Sequence, residues 1–522
     1  MVQVVWFKRD LRVADHEPLN HAIATGEPVV CLYVIEPELW RQPDASGRHW
    51  AFVRESLLEL RRDLEARGGT LVVRVGDVVT LLGRLHQQHG VGGLWSHQET
   101  GNGWTFERDK GVGAWARAHA VVWTEIPQNG VVRALKSRDG WAARWDRTMA
   151  CALVNAPDVI ATDHSIKPGN LPEMPDLGLR PDPCPGRQPG GRAAGLVLLS
   201  SFLNQRGESY HREMSSPLSA ADACSRLSVH LAYGTLSMRE VAQATWSRLA
   251  EARAMPTGSR GTWLTALRAF VGRLHWHCHF MQKLESAPRI EFQNVHRAYD
   301  GLRDGDFDQA RFEAWTTGHT GFPFVDACMR SLIATGWINF RMRAMLMAFA
   351  SYHLWLHWRP TGMHLARVFT DYEPGIHWPQ VQMQSGTTGT NTVRIYNPVK
   401  QSTDQDPRGT FIRQWVPEVR GVPDDYVHEP WRMPLTVQAE VRCRIGVDYP
   451  QRIVDHEAAA RTARERVWAI RRGEAFRTEA KALLEKHGSR RRRSAGPNGP
   501  RSTKSVPAPA PQLALDLQDA LA

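Results

Sequence analysis

Short apolar runs alternate with amphipathic stretches over the first 160 residues of the chain. VQVVWF from Val2, PVVCLYVIE from Pro28, TLVVRVG from Thr70, GGLWSHQE from Gly92 and AVVWTEI from Ala120 are brief, β-branched and aromatic. Runs apolar on both faces predict buried strands. Between them WAFVRESLLELRRDLEARGG keeps a helical period and stops at glycine, and DVVTLLGRLHQQHG is a second such stretch. This alternation predicts an α/β domain over residues 1–160, a doubly wound parallel sheet with helices on both faces.

The pattern then changes. Residues 161–196 are rich in Pro and Gly and are expected to form a linker over the surface. From 197 to 480 the helical period dominates, as in LSMREVAQATWSRLAEARA and GTWLTALRAFVGRLHWHCHFMQKLE. Their apolar stripes predict an all-α second domain. Residues 488–522 are Arg-, Pro- and Ala-rich, a composition that predicts a disordered basic tail.

Composition narrows the class. The chain has 522 residues, 42% of them hydrophobic, enough for more than one core. No apolar run reaches the ~18 residues of a membrane span. The opening MVQVVWFKRDLRV lacks a signal-peptide core, so a cytoplasmic location and a monomer are expected. The seven cysteines form no CxxC pair and are expected to be reduced thiols. The net charge of +11 favours a polyanionic partner, although Arg490, Arg491, Arg492, Arg493, Arg501 and Lys504 place part of it in the tail.

The candidate chemistry lies between Gly321 and Val419, where Trp, Arg and Asp crowd together. Arg341, Arg343, Asp371 and Glu373 sit among apolar neighbours, and buried charges need partners. A flavin offers them: a pyrophosphate for arginine and a ring N–H for a carboxylate. Ser225, Arg226, Leu227 and Ser228, ahead of an amphipathic helix, fit either a helix cap or a phosphate contact. Trp355, Trp358 and Trp378 fit either core packing or an electron relay. His275, His277 and His279 flank Cys278 without a motif such as HExxH, and no metal site is expected.

These residues resemble the photolyase/cryptochrome flavoproteins from about residue 2 to residue 480. WFKRDLR at Trp6–Arg12 looks like the family's opening strand and loop, and SRLSVHLAYGTLSMREV at Ser225–Val241 is similar to its flavin-phosphate segment. TGFPFVDACMRSLIATGWINFRMR and RIYNPVKQSTDQDPRGTFIRQWVPE are similar to its two strongest C-terminal blocks. The resemblance implies a helical domain that holds FAD. It implies Tyr210 and Ser225–Ser228 on the flavin's phosphate side, and Arg268, in RAF, paired with Asp371. Arg341 and Arg343 match the arginines after GW, and Asp371 and Glu373 match the acidic pair beside the isoalloxazine, with Glu replacing Asp. Trp358 matches the middle tryptophan of the family's electron chain and Trp378 the flavin-proximal one, with Tyr299 or Trp315 as the surface member. An antenna chromophore is implied near His97–Asp109.

The departures concern the lesion. The family's dimer-repair members carry a Glu and a Trp in the block before REF. WLTALRAF has Ala266 or Leu264 for that Glu and Leu267 for that Trp. Phe340 replaces the Asn of the GW motif, Ala344 the following Met, and the Asn facing flavin N5 falls near Gly375, Ile376 or His377. His377 is thus a proton-donor candidate or a packed histidine. Two functions stay open: light-driven repair of UV-damaged DNA, and a cryptochrome-type photoreceptor without repair. In the tail, Gln512, Leu515 and Leu517 fit a sliding-clamp-binding peptide of the form QxxLxL.

Overall fold

The computed structural model describes residues 1–305 and 307–488, so the clamp-like peptide at Gln512, Leu515 and Leu517 lies outside the described residues. The five apolar runs form one parallel sheet: β1 Val2–Phe7, β2 Val29–Ile35, β3 Leu71–Val75, β4 Val91–His97 and β5 Val122–Ile126. Its order is β3-β2-β1-β4-β5, so the chain winds outward from β1 in both directions, as expected. Side chains of β1 alternate between two cores. Val5 and Phe7 pack with α1 (Glu17–Ala24) and α2 (Gly47–Glu65), through Leu19 and Leu57. Val4 and Trp6 pack on the other face with α3 (Val78–His89) and α4 (Gly103–Ala118), through Leu82 and Trp115.

The domain boundary by packing differs from the boundary by composition. Helix α5 (Trp141–Ala150) precedes the Pro/Gly segment, yet Trp141, Trp145 and Met149 are buried with Leu199, Phe202 and Leu236 of the helical domain. The Pro/Gly segment runs over the first domain and is pinned to it. Ile166 and Leu177 are buried there, and Asp182 accepts from Arg48 Nε at 2.9 Å and Nη2 at 2.7 Å.

The second domain is helical: α6 (Arg192–Asn204), α7 (Ser228–Ala232), α8 (Met238–Ala254), α9 (Trp263–Ser286), α10 (Pro323–Thr335), α11 (Phe340–Ala348), α12 (Trp358–Val368), α13 (Pro374–Ser385), α14 (His456–Ile470) and α15 (Glu474–His487). Among the described residues no strand follows β5, and no helix is long and apolar enough to cross a membrane. The α9–α13 contact is close at Gly375, where an added Cβ would lie 2.9 Å from Met281 Cα. This fit sets the position of the N-terminus of α13 and of Glu373 just before it.

First-domain side chains fill the seam between the domains. Arg9 Nε donates to Ala232 O and its Nη2 to Tyr372 O, both at 2.7 Å. Arg48 Nη1 donates to Val368 O and His49 Nε2 to Phe369 O, both at 2.8 Å. Arg48 is buried, so truncating it strands the Val368 carbonyl and half-releases Asp182. Arg48→Ala is expected to cost about 2–4 kcal/mol, read as an earlier unfolding midpoint in denaturant.

Candidate functional site

A cleft of about 750 Å³ opens in the helical domain between α7, α9, α11 and α13. That lies within the ~300–1,000 Å³ range of cofactor sites. Tyr210, Ser225, Arg226, Leu227, Ser228, Arg341, Arg343, Asp371, Glu373 and His377 all line it. Residues scattered over more than 160 positions therefore meet in one wall, and all the expected cofactor residues except Arg268 are among them.

The acidic pair is split by environment. Asp371 is buried and takes a two-pronged contact from Arg343, Nη1 to Oδ1 at 3.0 Å and Nη2 to Oδ2 at 2.8 Å. Arg343 is itself fixed by donating Nε–H to Ile338 O at 2.7 Å and by lying 4.2 Å from the Phe369 ring centroid. Burial pushes the Asp371 carboxyl up, but Arg343, Ser228 and Arg226 outweigh it and hold the pKa below the usual value. Glu373 meets Arg9 at 3.6 Å and the backbone N–H of Gly375, but burial outweighs both and pushes it up to about 7. One acid is thus a fixed anion and the other titrates near neutrality.

Arg226 is held in a left-handed backbone conformation, φ +60, that a non-glycine residue adopts only when its surroundings enforce it. Its guanidinium stacks 4.1 Å from the Trp337 ring centroid. Gln188, from the Pro/Gly segment, donates to Arg226 O at 2.8 Å and accepts from Arg226 Nε at 3.3 Å. Burial lowers the Arg226 pKa to about 10, still far enough above neutrality to keep the charge. Ser225–Ser228 line the cleft at the start of α7, where Ser225 Oγ also accepts from Leu227 N–H at 3.4 Å.

Several cleft-lining polar atoms are buried without a partner among the described residues: Arg341 Nε, Asn339 Oδ1, His277 Nδ1 and both amide atoms of Gln380. A buried polar group left unpaired is costly, and a ligand with donors and acceptors removes that cost. With the arginines around the cleft, this donor set fits FAD: Arg226 and Ser225–Ser228 toward phosphate, Asp371 and Glu373 toward ring N–H groups. Gln380 and Gln384 also line the cleft on α13. Their spacing of three and seven from His377, one face of a helix, was the signal in the sequence for them.

The structure corrects the register of α9. Phe270, Arg273, Leu274 and His277 face the cleft, whereas Arg268 is exposed and Asp371 pairs with Arg343 instead. Two residues along a helix turn the side chain by about 200°, so Arg268 points away from the wall that Phe270 forms. Ala266 and Leu267 are fully buried in the helical core with Trp145, and Leu264 packs against the same core. None of the three lines the cleft. Phe340 and Ala344 do, as does the Ile376–His377 pair.

Trp358 and Trp378 are both buried, with ring centroids 6.0 Å apart at 75°. Neither lines the cleft, but His377 does, and its ring lies 5.0 Å from Trp378. On the far side His357 stacks 5.5 Å from Trp358 and is partly exposed. Tyr299 and Trp315 are 2% and 0% exposed, so neither is a surface member of a relay. His377 Nε2 donates to Gly362 O at 2.8 Å, and burial lowers its pKa to about 4, so it is neutral at pH 7.

The three histidines of α9 diverge: His275 meets Asp146 at 2.9 Å, His277 faces the cleft, and His279 packs against Trp141 and Trp276. Among the described residues the one grouping with metal-ligand geometry is Asp10, His16 and His97, which the sequence did not suggest. Leu19 N–H donates to His16 Nδ1, leaving the proton on Nε2, which donates to Asp10 at 3.0 Å. His97 Nδ1 donates to the same oxygen at 2.7 Å. The group is a closed hydrogen-bond network. The expected antenna segment borders a cavity through Glu99, Gly101, Asn102, Thr105 and Arg108, but its volume is only about 100 Å³. That is below the ~300 Å³ at which cofactor sites begin, so a chromophore does not fit there without side-chain movement.

A family model described as DNA photolyase matches residues 3–140, and one described as the FAD binding domain of DNA photolyase matches residues 270–469. A deoxyribodipyrimidine photo-lyase of Streptomyces griseus is 31% identical over 490 residues, covering 89% of this chain and 99% of that protein. A cryptochrome DASH of Gloeobacter violaceus is 30% identical over 486 residues, covering 88% and 95%. The solved structure of a Synechocystis cryptochrome superposes with a TM-score of 0.80 at 23% identity, covering 89% of this chain and 98% of that one. The chain belongs to the photolyase/cryptochrome family of FAD-binding flavoproteins.

Glu373 has a consequence for stability. A carboxyl whose folded pKa exceeds its unfolded value stabilises the fold below the unfolded value and loses that contribution as pH rises through the folded one. For Glu373 the window runs from 4.5 to about 7. In flavin-free protein, Glu373→Gln is expected to gain stability relative to wild type as pH rises from 5 to 8, by on the order of 3 kcal/mol. Denaturant melts at matched pH measure this, and a constant difference across the range rejects the assignment.

Proposed function

We propose that the protein is a light-driven DNA repair enzyme that acts on UV-induced pyrimidine lesions. The observation that carries this reading is the cleft. Its inner wall offers the cofactor set, and its lining also brings Arg341, Arg394, Arg464 and Trp468 from separate segments. A cleft rich in arginine and indole suits a flipped base and its phosphates. FAD held by these residues would supply the light-driven one-electron chemistry for splitting pyrimidine–pyrimidine bonds. The chain's own part is to hold, orient and exclude water. Arg343 keeps Asp371 ionised, and neutral His377, fixed by Gly362 O, stands between the cleft and the indole pair Trp378–Trp358.

A second reading is a photoreceptor without repair. It is favoured by the cleft-facing side of α9, where Phe270, Arg273, Leu274 and His277 include neither a carboxylate nor an indole. The deciding measurement uses reduced, FAD-loaded protein with oligonucleotides carrying a defined cyclobutane dimer or 6-4 product. Light-dependent loss of one lesion is expected; no loss of either in the light leaves the photoreceptor reading. Separately, Trp358→Phe is expected to slow flavin photoreduction severalfold without releasing the flavin, followed by absorbance under blue light. An unchanged rate removes Trp358 from the relay.

A further inference from the structure

Helix α14 brings Trp468 to the mouth of the cleft. The indole lines the cleft yet remains 47% exposed, although the chain's other large aromatics there are mostly covered. The cleft's other indole, Trp337, is covered by the Arg226 guanidinium at 4.1 Å. Trp468 therefore presents the one uncovered indole of the cleft lining among the described residues. A single exposed ring is ordinary on a protein surface; this one is set apart by lining the cleft beside Arg464 and Arg394.

The ring is also braced. Arg471 sits 5.5 Å from its centroid and is itself fixed, Nε donating to Tyr299 OH and Nη2 to Asn391 O, both at 2.8 Å. One side of the indole is backed by a cation held in place from behind. Arg464 lies four residues earlier on the same helix face, and Arg394 lines the cleft from another segment. Neither has an acidic partner among the described residues. A braced indole between unpaired arginines matches an unstacked nucleobase with phosphates on either side, since stacking tolerates any base and arginine neutralises the backbone.

We propose that Trp468 is the stacking platform for an unstacked base at the cleft mouth, with Arg464 and Arg394 contacting the adjacent phosphates. The inference rests on the repair reading above and assigns the aromatic wall that α9 does not provide.

The test uses full-length, FAD-loaded protein and fluorescent duplexes that are either undamaged or carry a defined cyclobutane dimer or 6-4 product. Trp468→Ala is expected to weaken binding of the preferred lesion about 5- to 50-fold, leaving undamaged duplex and flavin content unchanged. Trp468→Phe is expected to retain most of the affinity, because a phenyl ring still stacks. Arg464→Ala is expected to weaken both duplexes alike and to flatten the salt dependence. Lesion preference in wild type that survives Trp468→Ala overturns the stacking role alone. Loss of flavin or of undamaged-duplex binding in both Trp468 variants shows a structural role and also overturns it. Equal binding of damaged and undamaged duplexes by wild type overturns the repair reading, and this proposal with it.

Discussion

The turn-containing segment from Val368 to Glu373 is the constraint on which the site depends. Helix α12 ends at Val368 and α13 begins at Pro374; Glu373 O accepts from the first turn of α13 and Phe369 O from Tyr372 N–H at 3.1 Å, while the Val368 and Tyr372 carbonyls face the first domain. They are buried, and buried carbonyls must be paired. The first domain supplies the donors: Arg48 to Val368, His49 to Phe369 and Arg9 to Tyr372. From the helical side Thr370 N–H donates to Gly336 O at 2.9 Å, and Tyr372 OH reaches back to Asp44 at 2.7 Å. With its backbone held from both domains, the segment presents Asp371 and Glu373 to the cleft. The α/β domain thus acts on the flavin site through backbone hydrogen bonds, with Arg9 alone also meeting one of the acids.

The same segment explains why two neighbouring acids behave differently. Asp371 faces Arg343, whose planar fork matches a carboxylate in two contacts, and the match overcomes the desolvation cost. Glu373 meets Arg9 through one contact at 3.6 Å, so burial dominates. The cleft wall thus offers one fixed anion and one group able to exist in either protonation state. Next to them His377, locked as a neutral donor to Gly362, links the cleft to the buried Trp378–Trp358 pair.

The cofactor side and the substrate side of the cleft follow different rules. On the inner wall Arg226, Arg343 and Asp371 each have a partner, a stacked ring or a fixed carbonyl, whereas Arg341 Nε and the Gln380 amide are left for a ligand. The mouth is under-determined, with Arg394, Arg464 and Trp468 lacking acidic partners or full cover among the described residues. A group that must accept a large anionic partner from solvent cannot be saturated by the protein itself.

The sequence by itself determined the parts governed by local chemistry. Buried strands must be short and apolar, so VQVVWF and its four counterparts were legible, and the doubly wound sheet followed from their alternation with helices. The cleft-lining residues Ser225–Ser228, Arg341, Arg343, Asp371 and Glu373 were legible because each sits in a distinctive local block. Arg268 was misassigned because RAF imitates a motif, while the side that α9 turns to the cleft is set by packing at Phe270, Leu274 and Gly375. Tyr299 and Trp315 were misplaced for a similar reason: aromatic identity carries no information about depth. Trp141 and Trp145 joined the helical core across the Pro/Gly segment, and Gln188 reached Arg226 from within it. Which face a helix shows, how deep a ring lies and which domain satisfies a carbonyl are contacts between distant residues, and only the tertiary structure decides them.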